Sequence, residues 1–141
     1  MISKGTIILL IVISLMQVNV IAQTKVKELP IQFGETFLLS SNKRAVVRSK
    51  DECLKIEIIN FIEEWGYDAP PEVENRNYYS DVQYTLRILV KDIEKMYSFY
   101  SSDIKYKHKF SLNLENYKIL ILSDKYTNTS ASIKMKINRI D

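Results

Sequence analysis

Beyond the first twenty residues, apolar side chains recur mostly at every second position, the period at which successive side chains of a pleated strand point to opposite faces. The clearest case is Tyr79–Val90, YSDVQYTLRILV. Here Val82, Tyr84, Leu86, Ile88 and Val90 alternate with Asp81, Gln83, Thr85, Arg87 and Leu89, which predicts a strand with one buried face. The densest run is Cys53–Trp65, CLKIEIINFIEEW. Read by twos, Leu54, Ile56 and Ile58 oppose Lys55 and Glu57, and the order slips at Ile58-Ile59 as a β-bulge or a change of sheet requires, with Ile59 and Phe61 continuing on the other parity. A helical template also fits. It puts Leu54, Ile58, Phe61, Ile62 and Trp65 on one face, with Ser49 and Glu52 as a capping box and Gly66 as a stop. Four isoleucines between Ile56 and Ile62 favour the strand, because a β-branched side chain is stiff in a helix and packs well on a pleated surface.

Residues 23–28 read as a loose polar lead-in, IQFGETFLL as one or two strands around Gly34, and Ser40–Lys43 as a turn. Ala45–Arg48 is a short strand and Ser49–Asp51 a second turn. Lys91–Phe99 fits either a strand or a helical turn. Ser101–Asp103 reads as a turn, followed by a strand in which Ile104, Tyr106, His108 and Phe110 alternate with Lys105, Lys107 and Lys109. Tyr117–Leu122 and Ala131–Ile137 complete seven expected strands, with no helix outside the leader. This spacing predicts an all-β fold, a single antiparallel β-sandwich of immunoglobulin-like type. Its expected core is Phe37, Leu54, Ile56, Ile58, Leu86, Ile88, Ile119, Ile121, Ile133 and Met135. Between Trp65 and the Tyr79 strand, Pro70 and Pro71 remove donors and fix the backbone, so 66–79 is expected to be a loop outside the sheets. Trp65, at its start, is expected to pack.

The opening residues change the picture of where this domain resides. Lys4, the apolar run Ile7–Leu15 broken by Ser14, and Val20 with Ala22 have the three-part layout of a secretory leader. Cleavage is expected after Ala22, leaving one domain over 23–141 as a monomeric, periplasmic or extracellular protein. The apolar run is shorter than the roughly 20 residues of a membrane span, so no stable span is expected after cleavage. The single cysteine, Cys53, has no partner for an internal disulfide and is expected to be buried. The formal charge is +3, interleaved with acidic residues, and losing Lys4 with the leader lowers it further; this is not the balance of a nucleic-acid-binding chain.

Candidate chemistry is sparse. His108 is the one histidine, which excludes paired-histidine metal motifs, and its strand position suggests a partly buried structural role. Glu63, Glu64, Asp68, Glu72 and Glu74 cluster after the central run, but their spacing matches no calcium loop, so neither metal nor cofactor is expected. Lys105, Lys107, Lys109 and Lys118 form a local basic cluster, which on a strand would discourage edge-to-edge pairing or take an acidic glycan or lipid head group. Nine tyrosines offer stacking surfaces, and Trp65, Tyr67, Asp68, Tyr78 and Tyr79 gather in or beside the proline-containing loop as a candidate binding site.

The order of FGETFLL, LKIEIINFIEE, VQYTLRILV, YKILILSDKY and ASIKMKI behind a leader resembles small exported β-sandwich domains of unknown function of the Bacteroidetes type. That resemblance implies a β-sandwich over roughly residues 33–138 and no activity. It departs from the pattern after the Leu-x-Ile strand, where EEWGYDAPPEVENRNYY carries no cysteine. The sequence therefore points to a non-enzymatic binding module that meets a protein or glycan through loops or a sheet face. The alternatives are a secreted hydrolase using Glu63 or Glu64 with Asp68 or Glu72, and an envelope-assembly component that pairs through a sheet edge.

Overall fold

The computed structural model describes residues 26–107 and 110–140, so the expected leader with its expected cleavage site, His108 and Lys109 lie outside the described residues. Nine strands and one short helix are described. In chain order they are β1 (Lys27–Ile31), β2 (Thr36–Ser40), β3 (Lys43–Arg48), β4 (Cys53–Tyr67), β5 (Tyr78–Val90), β6 (Ile93–Tyr100), α1 (Ser101–Tyr106), β7 (Phe110–Leu114), β8 (Tyr117–Tyr126) and β9 (Ala131–Arg139). One sheet has the order β1-β3-β4-β5-β6 and the other β2-β9-β8-β7. Every pairing is antiparallel except β1 with β3. That exception arises because β2, between them in sequence, joins the other sheet.

The buried residues of the two sheets form one cluster, and all ten expected core residues belong to it. The strand reading of the central run holds over the helical one. The bulge also lies where the alternation slips, between Ile58 and Asn60. Ile59 is the extra residue and is exposed, whereas Phe61 returns to the inner side and packs edge-on against Tyr126 of β8, with ring centroids 6.0 Å apart. A second bulge in β8, between Ile121 and Ser123, turns Asp124 inward. There it accepts a 2.7 Å hydrogen bond from the Tyr84 hydroxyl, a polar link from one sheet to the other. Burial is the main reason, and the Asp124 carboxylate the next, that the Tyr84 phenol is held well above its ordinary pKa. At the other end of the core, burial and a hydrogen bond donated to Glu52 push Tyr117 up to about 12.

Several expectations are corrected. β1 begins at Lys27, inside the supposed lead-in. Lys91–Phe99 resolves into a two-residue turn and β6; Lys91 and Asp92 both take positive φ, 50° and 64°, the geometry of a tight hairpin turn usually supplied by Asn-Gly. Cys53 is half-buried because Leu54 takes the inward position and alternation turns its neighbour outward. The segment after Tyr100 is helix α1 instead of a turn leading into a strand from Ile104. Asp103 accepts the Tyr100 backbone N–H at 2.9 Å, which is the main reason its carboxyl is held below the usual range. Ser101 and Ile104, three apart, are buried, and Lys107 pairs with Asp103 at 3.2 Å. Lys105 and Lys107 thus belong to a helix and its end, while Lys118 lies on β8, so the expected basic strand face is not assembled.

Candidate functional site

β4 and β5 are the longest strands, and their neighbours do not follow them to the end. β3 pairs with β4 from Cys53 to Glu57, and β6 pairs with β5 from Gln83 to Val90. Glu63–Tyr67 and Tyr78–Val82 pair with each other, so the hairpin ends as a two-stranded ribbon. This corrects the expectation of a loop over 66–79: the prolines interrupt pairing only between Asp68 and Asn77, and Gly66, Tyr67, Tyr78 and Tyr79 are all in strand. Gly66 does not stop the strand. A Cβ there would come within 3.0 Å of the Tyr79 hydroxyl, so its lack of a side chain is what lets the Tyr79 ring lie across it.

The loop itself is closed by Asp68. Its carboxylate accepts the Asn77 side-chain amide at 2.9 Å and the Asn77 backbone N–H at 2.7 Å, and these two bonds hold the carboxyl below its ordinary pKa. The Asp68 N–H in turn donates to the Asn77 carbonyl at 3.0 Å. Val73 N–H donates to the Pro70 carbonyl, and Asn75 supplies the left-handed φ that the turn needs.

Register assigns the faces. Phe61, Glu63, Trp65 and Tyr67 share a face with Tyr84, Val82, Ser80 and Tyr78, and this face is continuous with the core side of the sheet. The core cover reaches one row further, to Val82, and past it the face is exposed. Trp65, expected to pack, is 67% exposed. Tyr67 and Tyr78 meet edge-to-face at 5.7 Å, and the Arg76 guanidinium lies 4.0 Å from the Tyr67 ring centroid, so the aromatic group is held in shape by its own contacts. Tyr79 lies on the opposite face with Ile62. Of the five expected site residues, then, Trp65, Tyr67 and Tyr78 share one surface, Asp68 braces the loop behind them, and Tyr79 is turned away.

The carboxylates are not brought together as a facing pair. Glu63 and Glu64 are consecutive in a strand and point to opposite faces; Glu63 accepts the Ser80 hydroxyl at 2.9 Å and Glu64 the Tyr100 hydroxyl at 3.1 Å. Glu72 and Glu74 are exposed on the loop, and among the described residues no three metal-ligating side chains converge. At the ribbon's base, Asp81 accepts both the backbone N–H and the hydroxyl of Ser102, fastening β5 to α1. One arrangement escaped the sequence reading altogether: Glu57, almost fully buried on the outer side of its sheet, is clasped by Arg44 at 2.9 Å and by Arg87. Three residues 13 and 30 positions apart become neighbours only through strand register, and nothing local signals them. Comparison with known proteins returned no matching family, no matching curated protein and no matching solved structure. Among the described residues, no helix is long and apolar enough to cross a membrane.

Proposed function

We propose that this chain is an exported, non-enzymatic binding module with a β-sandwich of immunoglobulin-like layering, related in plan to the Bacteroidetes-type domains it resembles, and that it meets a protein or glycan through the β4–β5 ribbon. The observation that carries the reading is the uncovered continuation of the core face, bearing Trp65, Tyr67 and Tyr78. A two-stranded ribbon is marginal on its own in water. This one is braced by Asp68, Asn77, Arg76 and Ser102, yet leaves its aromatic residues in solvent. Aromatic side chains offer a partner large contact area at little entropic cost, and a prebraced surface avoids the penalty of ordering on binding. Export rests on the leader-like pattern before Gln23.

Trp65 is the chain's single tryptophan and therefore reports on the ribbon alone. Titration with candidate glycans and with envelope or host-surface proteins is expected to shift its emission to the blue and to protect it from quenching. The same titration of a Tyr67→Ala/Tyr78→Ala variant should leave the emission unmoved. A partner that binds with Trp65 unchanged, or binds the double variant equally, would remove the ribbon as the contact. N-terminal sequencing of exported protein should begin at Gln23; an intact Met1 in a membrane fraction would overturn the export reading.

A further inference from the structure

The two sheets present very different outer surfaces. On the five-stranded sheet, Arg44 and Arg87 clasp Glu57 and Arg48 reaches Glu28 at 3.6 Å, so the arginines have acidic neighbours, and Lys55 has Glu94 two strands along its row, beyond Leu89. On the four-stranded sheet the outward positions of the two central strands include Lys118 and Lys125 on β8 and Lys134 and Lys136 on β9. Register places them in four successive rows: Lys118 opposite Asn138, Lys136 opposite Leu120, Lys134 opposite Ser123, and Lys125 opposite Ser132. Alternate residues of a strand are about 7 Å apart, so the lysines form a staggered line about 20 Å long. Among the described residues no outward register position of this sheet carries a carboxylate, although Asp124 borders one of its hollows. Asp124 is turned inward to Tyr84, Glu115 sits in the β7–β8 turn bonded to Lys95, and Glu35 precedes β2 with its carboxylate on the Gln32 N–H.

Lysine on an edge strand is explained by protection against edge pairing, but β8 and β9 are the interior strands of their sheet, so that explanation does not apply. The neighbours of the lysines also specify a kind of ligand. Two adjoining depressions of about 480 and 510 Å³ share Leu38, Lys125 and Ser132; hydroxyl residues such as Ser40 and Thr127 make up most of the second, and in the first Thr36, Ser123 and Ser132 stand with Lys125 and Lys134 beside Phe37 and Asp124, whose register positions face the core. No aromatic side chain points outward from this face among the described residues. Protein-binding surfaces concentrate aromatic anchors, and single-stranded nucleic acid is held by stacking, so neither finds its usual footing here. A lipid surface is planar on this scale and does not enter hydroxyl-lined hollows.

We infer that the outer face of the β2-β9-β8-β7 sheet is a binding surface for an acidic polysaccharide, a chain bearing carboxylates or sulfates at regular intervals along a hydroxylated backbone. The lysines meet the charges and the serine and threonine hydroxyls meet those of the sugar. Because it stands on a different sheet and different side chains, the inference is independent of the ribbon.

The test uses heparin as probe, with neutral dextran, a duplex DNA oligonucleotide and phosphatidylglycerol vesicles beside it at equal ionic strength. Binding to heparin is expected to exceed binding to the other three and to weaken by on the order of a hundredfold when salt rises about fourfold, as for about four released counterions. Heparin should slow chemical acetylation of Lys118, Lys125, Lys134 and Lys136 in the unaltered protein, read by mass spectrometry, while Lys55 stays reactive. A Lys134→Gln/Lys136→Gln variant should bind at least roughly tenfold more weakly, a Lys55→Gln variant as before, and Trp65 emission should not respond. No retention on heparin, equal acetylation with and without it, equal affinity for DNA or vesicles, or a response from Trp65 would each overturn the assignment. The acetylation readout needs no substituted protein, so misfolding of a variant cannot mask the result.

Discussion

In the lower half of the β4–β5 hairpin, Leu54, Ile56, Ile58, Leu86, Ile88 and Val90 fill the core, whereas in the upper half the same face carries Trp65, Tyr67 and Tyr78 into solvent. Both halves are antiparallel strand in continuous register on either side of one bulge. They differ in what lies beside and opposite them. The lower half has β3 and β6 as neighbours and β2, β8 and β9 contributing across the core; the upper half pairs only with its own partner strand, is tied by Ser102 and the Tyr100 hydroxyl, and adds only Val82 to the core. A large aromatic residue in a strand is therefore not in itself a core residue. Its role is set by whether a second layer reaches as far as it does.

The sharpest way to break that contrast is to truncate one side chain in each half. Ile56→Ala, at a fully buried position, is expected to cost about 2–5 kcal/mol in chemical denaturation, combining lost transfer energy with a cavity that relaxes only in part. Next in size is Tyr84→Phe, which leaves the inward-turned Asp124 without its donor and should cost about 1–2 kcal/mol at neutral pH.

The Tyr84 variant also sharpens the comparison through pH. Tyr84 and Tyr117 are both raised in the folded state, Tyr117 to about 12, so folding favours their protonated forms. The stability they contribute is fully present below the unfolded pKa of about 10 and is lost as pH rises from there through the folded values, since the unfolded chain releases protons first. Denaturation midpoints should accordingly fall above about pH 10, and less steeply in Tyr84→Phe. A flat alkaline limb in the unaltered protein would mean that neither phenol is held as described.

Smaller effects belong to the ribbon. Gly66→Ala puts a methyl group 3.0 Å from the Tyr79 hydroxyl and should displace that ring at a cost of no more than about 1 kcal/mol, because the phenol end is at the surface and has room to move. Nuclear magnetic resonance shifts of the Tyr79 ring would report the displacement. Trp65→Ala should change stability by no more than about 0.5 kcal/mol, as expected of an exposed side chain. If it proves as costly as Ile56→Ala, the ribbon is covered in solution and the distinction between the two halves fails.

Much of the fold was legible in the local pattern. Period-two alternation identified most of β4, β5 and β9, the near-continuous apolar run Tyr117–Leu122 marked the first part of β8, the ten expected core residues followed from parity, and the break at Ile58-Ile59 marked the bulge because an inserted residue must shift parity. The elements that escaped were those whose signals were short or atypical. Lys91-Asp92 makes a turn commonly built from Asn-Gly, and α1 is held by Asp103 and the burial of Ile104, features that read equally well as a turn and the start of a strand. At the candidate site, residue types were legible and their arrangement was not. Pro70 and Pro71 correctly marked an interruption but concealed that strand pairing resumes on either side of it. The lysines of β8 and β9 were visible as the polar half of two alternating strands, Lys134 and Lys136 between Ile133, Met135 and Ile137. That the two strands lie side by side, and so put four lysines on one surface with no outward carboxylate, depends on sheet order.

The pleat explains the division. Which side chains share a face is determined by residues two apart in the chain, so the sequence alone determined the long alternating strands and the heart of the inward set. Burial and electrostatic neutralisation depend on residues far away in the chain: on how far β3 and β6 run beside the hairpin, on whether the opposite sheet extends beneath Trp65, and on which strand is laid next to β9. Those were decided only when the sheets were assembled, because backbone hydrogen bonding across a sheet joins segments regardless of their distance in sequence.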